Sequence, residues 1–151
     1  MFEILMFLFE SYFDAGSYPD SDKLSFKLSA AGFEDGDIHL ALSWLTDLKL
    51  LDATDYPASI NQGGTRCYAE LEIRRISIEG LHFLTFLEQS KVITPVEREM
   101  IIDRVVAVDR ENLSLSKVKL IALMVLWNLH KDLDPMLVEE LLTPADASLL
   151  H

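Results

Sequence analysis

The predicted fold depends on the stretch DKLSFKLSAAGFEDGDIHLALSWLTDLKLLD, Asp22–Asp52. Apolar residues recur in it at helical spacing on both sides of Gly32, a residue type that commonly ends a helix. We therefore predict helices over residues 22–31 and 34–48, joined by a short glycine-containing turn as in a helix-turn-helix. The apolar positions are Leu24, Leu28 and Ala31 before the turn, and Ile38, Leu42, Leu45 and Leu48 after it.

The segment after these two helices is typical of a wing. A loop over residues 52–65 leads to Arg66-Cys67-Tyr68, for which we predict a short strand. Glu70–Arg75 fits either a strand or a helical turn, and a Leu-rich helix follows from Ser77 to near Ser90. This running order is that of many winged-helix domains, an analogy at the level of the fold that implies no function.

Three further helices are predicted after residue 91. Thr94-Pro95-Val96-Glu97 is a capping box with proline at the first helical position, and its helix is predicted to run to about Asp109. The next helix contains Val118–Leu129, a nearly apolar run that is too short to cross a membrane and is typical of a buried helix. Asp134-Pro135 begins the third helix, and Thr143–Asp146 is predicted to cap a last turn.

Together with a helix over residues 1–14, these elements predict a mainly α protein. We expect a winged-helix-like N-terminal unit with a short strand or wing over residues 1–91. We expect a three-helix C-terminal unit, packed on the first, over residues 92–151. A chain of 151 residues is long enough for one domain or two small ones with an apolar core.

The chain is acidic, with 25 acidic and 13 basic residues and a formal net charge of −12. This charge repels nucleic-acid phosphates and anionic lipid, so nonspecific binding to either is disfavoured. Cys67 is the single cysteine, which excludes an intramolecular disulfide and a cysteine-based zinc site. The apolar N-terminus MFEILMFLF is far shorter than the ~20 residues of a membrane span. We predict a cytoplasmic protein without membrane attachment.

The helix predicted over residues 34–48 stands where a winged helix would read DNA, but its outward residues are acidic. It contains no lysine or arginine. Base contacts are made mostly by Arg, Lys, Asn and Gln, with further basic residues on the phosphates. We therefore favour the interpretation that this helix contacts a protein. The acidic residues expected at that contact are Glu34, Asp35, Asp37 and Asp47.

The densest positive cluster of the chain lies in the predicted wing and consists of Arg66, Arg74 and Arg75, with Tyr68 nearby. These residues offer a contact for a phosphate or for an acidic partner. The favoured alternative is pairing within the chain, with the acidic N-terminal half and with Glu70 and Glu72. If the protein binds nucleic acid, we expect the contact at this wing.

Motifs for metal binding and catalysis are weak. Glu79-x-x-His82 places a carboxylate and an imidazole on one helical face, but a carboxylate-bridged di-metal bundle needs two such motifs. Cys67 lies beside a cation, as reactive cysteines do, but a lone thiol is more often a packed or incidental one. The sequence contains no nucleophile elbow, phosphate loop or dinucleotide fingerprint. We predict no enzyme activity, no cofactor and no metal site.

Five large apolar residues in the predicted helices are candidates for a groove that binds a partner helix or a second copy of the chain. For each of them alone, burial in the core is the favoured interpretation. Two small helical units nevertheless carry enough apolar surface for an exposed patch. The candidates are Trp44, Phe86, Met124, Trp127 and Met136.

Short motifs from one end of the chain to the other are similar to those of one protein family. They are MFEILMFLFE at the N-terminus, Arg66-x-Tyr68, Phe83–Gln89, Arg98-Glu99-Met100-x-Ile102-x-Arg104, Lys119 with Leu123–Leu126, and Leu150-His151. On these motifs the chain resembles the Smg family, a domain of unknown function from proteobacteria. Where members tend to have Arg-Gly before the Phe-Leu pair, this chain has Leu81-His82. The resemblance implies a cytoplasmic bacterial protein and no particular activity.

The leading functional prediction is a non-enzymatic cytoplasmic protein-interaction module built on an acidic winged helix, with a protein as partner. The alternative is a nucleic-acid-associated regulator that binds through the wing of Arg66, Arg74 and Arg75. A homodimer is compatible with the apolar surplus of the predicted helices.

Overall fold

The computed structural model describes residues 1–57, 66–130 and 132–143, and these ranges form eight α-helices and no strand. The mainly α prediction is therefore confirmed. Contacts between residues divide the chain into an N-terminal unit, residues 1–50, and a C-terminal unit, residues 51–151. The helices are α1 (Phe2–Tyr12), α2 (Ser21–Ala30) and α3 (Asp35–Leu50) in the N-terminal unit, and α4 (Glu70–Arg75), α5 (Ile78–Gln89), α6 (Pro95–Val106), α7 (Leu115–Leu129) and α8 (Pro135–Leu142) in the C-terminal unit.

In the N-terminal unit, α3 packs against both α1 and α2. The second helix follows Asp20, whose Oδ1 accepts a hydrogen bond of 3.2 Å from the backbone N–H of Lys23. Gly32 follows α2 with a φ of 100°, a left-handed conformation that favours glycine. This turn lets the Phe33 N–H donate to the Leu28 carbonyl at 3.2 Å. The two predicted helices and the glycine between them are confirmed.

The C-terminal unit is built around α7, against which α5, α6 and α8 pack, while α4 packs against α6. Every residue from Val118 to Trp127 is buried, and Lys119 is among them. The predicted capping box begins α6: Thr94 N donates to Glu97 Oε1 at 2.8 Å, and Glu97 N donates to Thr94 Oγ1 at 3.1 Å. The three helices predicted after residue 91 are confirmed. No helix in the described part of the chain is long and apolar enough to cross a membrane.

Helix α5 comes close to α7 at Gly80. A Cβ atom on this residue would lie 3.0 Å from Ile76 Cγ2 and 3.0 Å from Val118 Cγ2. Both of these side chains are almost completely buried, so neither has room to move away. The glycine therefore permits the close packing of α5 on α7.

A short backbone connection joins the residues between α4 and α5 to the residues that precede α7. Asn112 N donates to the Arg74 carbonyl at 2.8 Å, and Ile76 forms an isolated parallel bridge with Leu113. These contacts cross the predicted boundary near residue 91. The observed division lies instead between residues 50 and 51. As a statement about domains, the division at residue 91 stays a prediction.

The predicted wing differs from the structure in its local conformation. Arg66–Tyr68 is not a strand, because no second extended segment among the described residues pairs with it. Glu70–Arg75 is the helix α4, and the Glu72 carboxylate accepts a hydrogen bond of 2.7 Å from the backbone N–H of Ala69 at its start. The prediction of a short strand was wrong, and the winged-helix arrangement is not confirmed.

Two predicted segments fall partly outside the described residues. The loop predicted over residues 52–65 contains a 3-10 turn, Ala53–Asp55, and its residues 58–65 are not described. The last turn predicted at Thr143–Asp146 is not described beyond Thr143.

Candidate partner-binding surfaces

The four acidic residues predicted to contact a partner are exposed, but they do not form one patch. Glu34, Asp35 and Asp37 lie at the N-terminal end of α3, where carboxylates interact favourably with the helix dipole. Asp47 lies near the other end of the helix, about 15 Å farther along its axis at ~1.5 Å per residue. We call the first three residues the acidic end of α3. A partner that contacts all four carboxylates must span most of the helix.

Arg66, the first arginine of the predicted wing, is held between two carboxylates. Its Nε and Nη2 atoms donate to the two oxygens of Glu99 at 2.9 and 3.1 Å, a bidentate pair, and Nη2 also lies 2.7 Å from Glu72 Oε2. The hydrogen bonds to Glu99 and then to Glu72 outweigh the opposing effect of burial and raise the pKa of Arg66. The guanidinium also lies over the ring of Tyr68, 5.1 Å from its centroid.

This pair continues into a network of five charged residues. Glu99 Oε2 also accepts a hydrogen bond of 2.8 Å from Arg98 Nε, and Arg98 Nη1 lies 2.6 Å from Glu88 Oε1. Burial raises the pKa of Glu99, but the hydrogen bonds from Arg66 and Arg98 outweigh burial and hold the pKa below its usual value. We call Arg66, Glu72, Glu88, Arg98 and Glu99 the Arg66–Glu99 network. It joins the segment before α4 to α4, α5 and α6.

The other two arginines of the predicted wing have different surroundings. Arg75 Nη1 lies 2.7 Å from Asp109 Oδ1, and only 18% of the Arg75 side chain is exposed. Arg74 is exposed and forms no ion pair with any residue that the structure describes. The three arginines therefore do not present one basic surface. Two of them pair within the C-terminal unit, and Glu72 is one of the partners expected from the sequence.

Helices α4 and α5 form a groove with a volume of about 710 Å³, and Tyr68 connects this groove to the Arg66–Glu99 network. On the wall of the groove, Tyr68 Oη and Thr85 Oγ1 lie 3.4 Å apart, within hydrogen-bonding distance. The apolar lining residues are Ile73, Ile76, Ile78 and Leu81, and the polar ones are Tyr68, Glu79, His82, Thr85 and Asn112.

Three large apolar side chains in or beside the groove are exposed. Ile73 in α4 is 56% exposed, and Ile78 and Phe86 in α5 are 64% and 60% exposed. Ile78, His82 and Phe86 follow one another at intervals of four residues and therefore lie on one face of α5. We call Ile73, Ile78 and Phe86 the apolar rim. Exposed apolar clusters of this kind are typical of contact surfaces.

The five apolar candidates from the sequence divide into two groups. Trp44, Met124 and Trp127 are buried in the cores of their units, as was favoured for each residue alone. Phe86 and Met136 are exposed, and Phe86 belongs to the apolar rim. Sequence reasoning thus identified one residue of the rim.

Ile73 and Ile78 were not predicted as surface residues, although the sequence carried a signal for Ile78. Ser77 caps α5 by accepting a hydrogen bond from the N–H of Gly80, which makes Ile78 the first residue of the helix. Gly80, Leu84 and Leu87 are the buried residues of α5 and define its inward face. Ile78 lies outside that inward face. Counting residues from the Ser77 cap would have placed Ile78 on the side of α5 that faces solvent.

The candidate motif for a metal lies in the same groove, since both Glu79 and His82 line it. Among the described residues, no group of three or more His, Cys, Asp or Glu side chains is placed to hold a metal ion. Cys67 is exposed on the segment before α4. The groove itself is lined by apolar side chains and by hydrogen-bonding groups.

Comparison with known proteins identifies the family. A family model described as a protein of unknown function, DUF494, matches residues 1–151. The chain belongs to the Smg family, DUF494. Its relatives include the Protein Smg homologs of Nitrosomonas europaea and Azoarcus sp. strain BH72, which are 44% and 43% identical to it over the whole of both chains. The Protein Smg homolog of Bordetella pertussis is 40% identical, also at full coverage of both chains. No solved structure matches the chain.

In this Smg-family chain, three of the motifs that resemble the family meet in the C-terminal unit. Arg66, Glu88, Arg98 and Glu99 come from these motifs, and all four belong to the Arg66–Glu99 network. The family description and the relatives' names state no activity. A function must therefore be argued from the surfaces described above.

Proposed function

We propose that the protein is a non-enzymatic cytoplasmic interaction module that binds another protein through the α4–α5 groove and the apolar rim. The observation that carries this proposal is the exposure of Ile73 and Ile78, which line the groove, and of Phe86, which lies on the same face of α5 as Ile78. Burial of apolar surface is favourable by about 25 cal/mol per Å². A partner that covers the rim gains this free energy.

The Arg66–Glu99 network supports this proposal because it holds the groove in shape. Tyr68 lies in the wall of the groove and beneath the Arg66 guanidinium, which is itself fixed by Glu72 and Glu99. A surface that is already ordered loses less conformational entropy when it binds. Arg66 thus supports the wall of the groove through its contact with Tyr68 and does not itself bind the partner.

The acidic end of α3 is the second part of the proposal. Its exposed carboxylates, together with Asp47 at the far end of the helix, favour partners that carry positive charge. Charges of this kind act mainly on the rate of association and on the choice of partner. That α3 belongs to a winged helix stays part of the proposal.

The alternative, a nucleic-acid-associated regulator, receives less support. For Arg66 or Arg75 to bind a phosphate, each must first leave a carboxylate 2.7 Å away within the chain. The net charge of −12 opposes the approach of a polyanion. This alternative is kept as one outcome of the following experiment.

The proposal is tested by crosslinking in the cells that make the protein. A photo-activated amino acid is introduced into the full chain in place of Phe86. In a second strain it replaces Phe26, which lies in α2 and is 77% exposed. We expect ultraviolet light to give a protein adduct of discrete mass from position 86 and not from position 26. The double substitution Ile73→Ser/Ile78→Ser should remove the adduct.

Two results would contradict the proposal. One is the same pattern of adducts from both positions, which would mean that the groove has no preferred partner. The other is an adduct from position 86 that is sensitive to nuclease, which would favour the nucleic-acid alternative. Circular dichroism of the variants checks that the substitutions, all at exposed positions, leave the helices intact.

A further inference from the structure

We propose that the segment bound in the groove is an amphipathic helix of the partner that carries lysine or arginine beside its apolar face. This inference rests on the proposed function and specifies the chemistry of the partner at the same site.

The shape of the exposed surface fits a helix. From Ile78 to Phe86 the exposed face of α5 is about 12 Å long at ~1.5 Å per residue, which corresponds to about two turns of an opposing helix. Ile73 on α4 provides the opposite side of the groove. A partner helix with apolar side chains at i, i+4 and i+7 can place them between these three residues.

A small molecule fits this surface less well than a helix. Ligand pockets bury roughly 70–90% of a small ligand, and their lining side chains are correspondingly enclosed. In this groove Ile73 and Ile78 are themselves more than half exposed. A ligand here would keep much of its own surface in water, whereas a helix also covers the outer sides of both isoleucines.

The charge of the partner follows from Glu79. It supplies the only carboxylate among the described residues that line the groove, it is exposed, and it makes no hydrogen bond or ion pair with a described residue. Residues 51–151 contain 16 acidic and 10 basic residues, so this part of the chain has a net charge of −6. A lysine or arginine of the partner would pair with Glu79 and would be attracted by the whole unit.

The same charges argue against a second copy of this chain as the occupant. Each copy carries a net charge of −12, and two copies in contact repel each other. A basic helix from a different protein does not meet this repulsion.

The experiment measures the binding of synthetic peptides to the full chain by fluorescence anisotropy. The probe is a peptide of about 14 residues, about four helical turns at ~3.6 residues per turn, with leucines on one face and lysines on the other. A second peptide has glutamate in place of lysine, and a third has the same composition as the first with its leucines scrambled.

Two matched pairs of protein variants locate the binding. Ile73→Ser/Ile78→Ser removes apolar side chains of the groove, and Phe26→Ser removes an exposed apolar side chain of α2. Glu79→Gln removes the groove carboxylate, and Glu111→Gln removes another exposed carboxylate of the same unit.

We expect the lysine peptide to bind the chain at least about tenfold more tightly than the glutamate and scrambled peptides. The isoleucine double variant should weaken its binding about tenfold or more, and Glu79→Gln should weaken it about threefold and reduce its dependence on salt. Phe26→Ser and Glu111→Gln should leave it unchanged.

Three results would overturn the inference. Equal binding of the lysine and scrambled peptides would mean attraction by net charge alone. Tighter binding of the glutamate peptide would reverse the assigned charge. Self-association of the chain that the isoleucine double variant abolishes would make a second copy the occupant. If no peptide binds while the adduct from position 86 persists and depends on Ile73 and Ile78, this inference fails and the proposed function stands.

Discussion

The substitution Glu99→Gln tests what the Arg66–Glu99 network contributes to stability. Glu99 accepts two hydrogen bonds from Arg66 and one from Arg98, with donor–acceptor distances between 2.8 and 3.1 Å. The Gln side chain keeps the shape but has no charge and only one acceptor oxygen. At least one of the three hydrogen bonds is therefore lost, and the others lose their charge assistance.

The expected loss of stability follows from burial. Removing one partner of a buried ion pair costs ~3–5 kcal/mol, and a single hydrogen bond to a charged group contributes ~1.5–3 kcal/mol. Arg66 is 22% exposed and regains some hydration, and Arg98 keeps its pair with Glu88, so the lower end of the range applies. We expect a loss of about 3 kcal/mol, or a fall in Tm of about 6–12 °C at ~2–4 °C per kcal/mol.

The pH dependence of this loss is a second, independent expectation. The pKa of Glu99 in the folded protein lies below its ordinary value of 4.5, so the unfolded state takes up a proton more readily than the folded state. The stabilisation supplied by Glu99 is therefore fully present above pH 4.5 and is lost as the pH falls through the lower, folded-state pKa. The difference between wild type and Glu99→Gln should shrink over that range.

Urea unfolding followed by circular dichroism at a series of pH values measures both quantities. Glu111→Gln is the control, because Glu111 is exposed in the same unit and should change stability by less than about 0.5 kcal/mol. The reasoning is refuted if Glu99→Gln costs less than about 1 kcal/mol at neutral pH. The reasoning is also refuted if the difference in the free energy of unfolding between wild type and Glu99→Gln stays constant well below pH 4.5.

The remaining predictions concern packing, a buried lysine and a half-buried tyrosine. Gly80→Ala should destabilise by about 1 kcal/mol in urea unfolding despite the better helix propensity of alanine, because the added methyl group meets two buried side chains at 3.0 Å. Gly36→Ala, where a Cβ meets nothing within 4 Å, should stabilise by about 0.5 kcal/mol, and the opposite order of the two variants would contradict the packing at α5. Lys119 is 2% exposed and lies 3.4 Å from Glu140, whose side chain is 58% exposed and stays hydrated without its partner. Because Lys119→Met leaves no buried unpaired charge, it should be neutral or stabilising, and a loss above about 2 kcal/mol would contradict this. Burial raises the pKa of Tyr18 to about 12, so in an alkaline absorbance titration this phenol should ionise late, and its contribution to stability should be lost as the pH rises above 10. A Tyr18→Phe variant that leaves the late step unchanged would refute that assignment.

The predicted wing illustrates how a basic sequence cluster can serve the interior of a protein. Arg66 and Arg75 are both mostly buried and paired, with Glu99 and Asp109 among their partners. Their charges are therefore paired with carboxylates of the same unit, and they contribute little to the electrostatic potential outside the chain. The exposed surface nearby is instead the apolar rim beside α4 and α5.

The sequence by itself determined the helices and many of their ends. Thr94 caps α6 and Gly32 follows the end of α2, both at positions that the sequence indicated. These signals are readable because each involves partners no more than a few residues apart. The acidic, mainly α character of the chain and its family resemblance were likewise present in local motifs and composition.

Only the tertiary structure decided what the arginines pair with and which apolar residues face solvent. Arg66 and Glu99 are 33 residues apart, and no local rule selects that pair. The conformation of Glu70–Arg75 was open in the sequence because its residues suit a strand and a helix equally. The helical conformation is accompanied by the packing of α4 against α6 and by the hydrogen bonds that the Glu72 carboxylate accepts from Ala69 N and Arg66 Nη2. The exposure of Ile73 follows from the helical conformation of α4 and its packing against α6, neither of which the periodicity of the sequence selects.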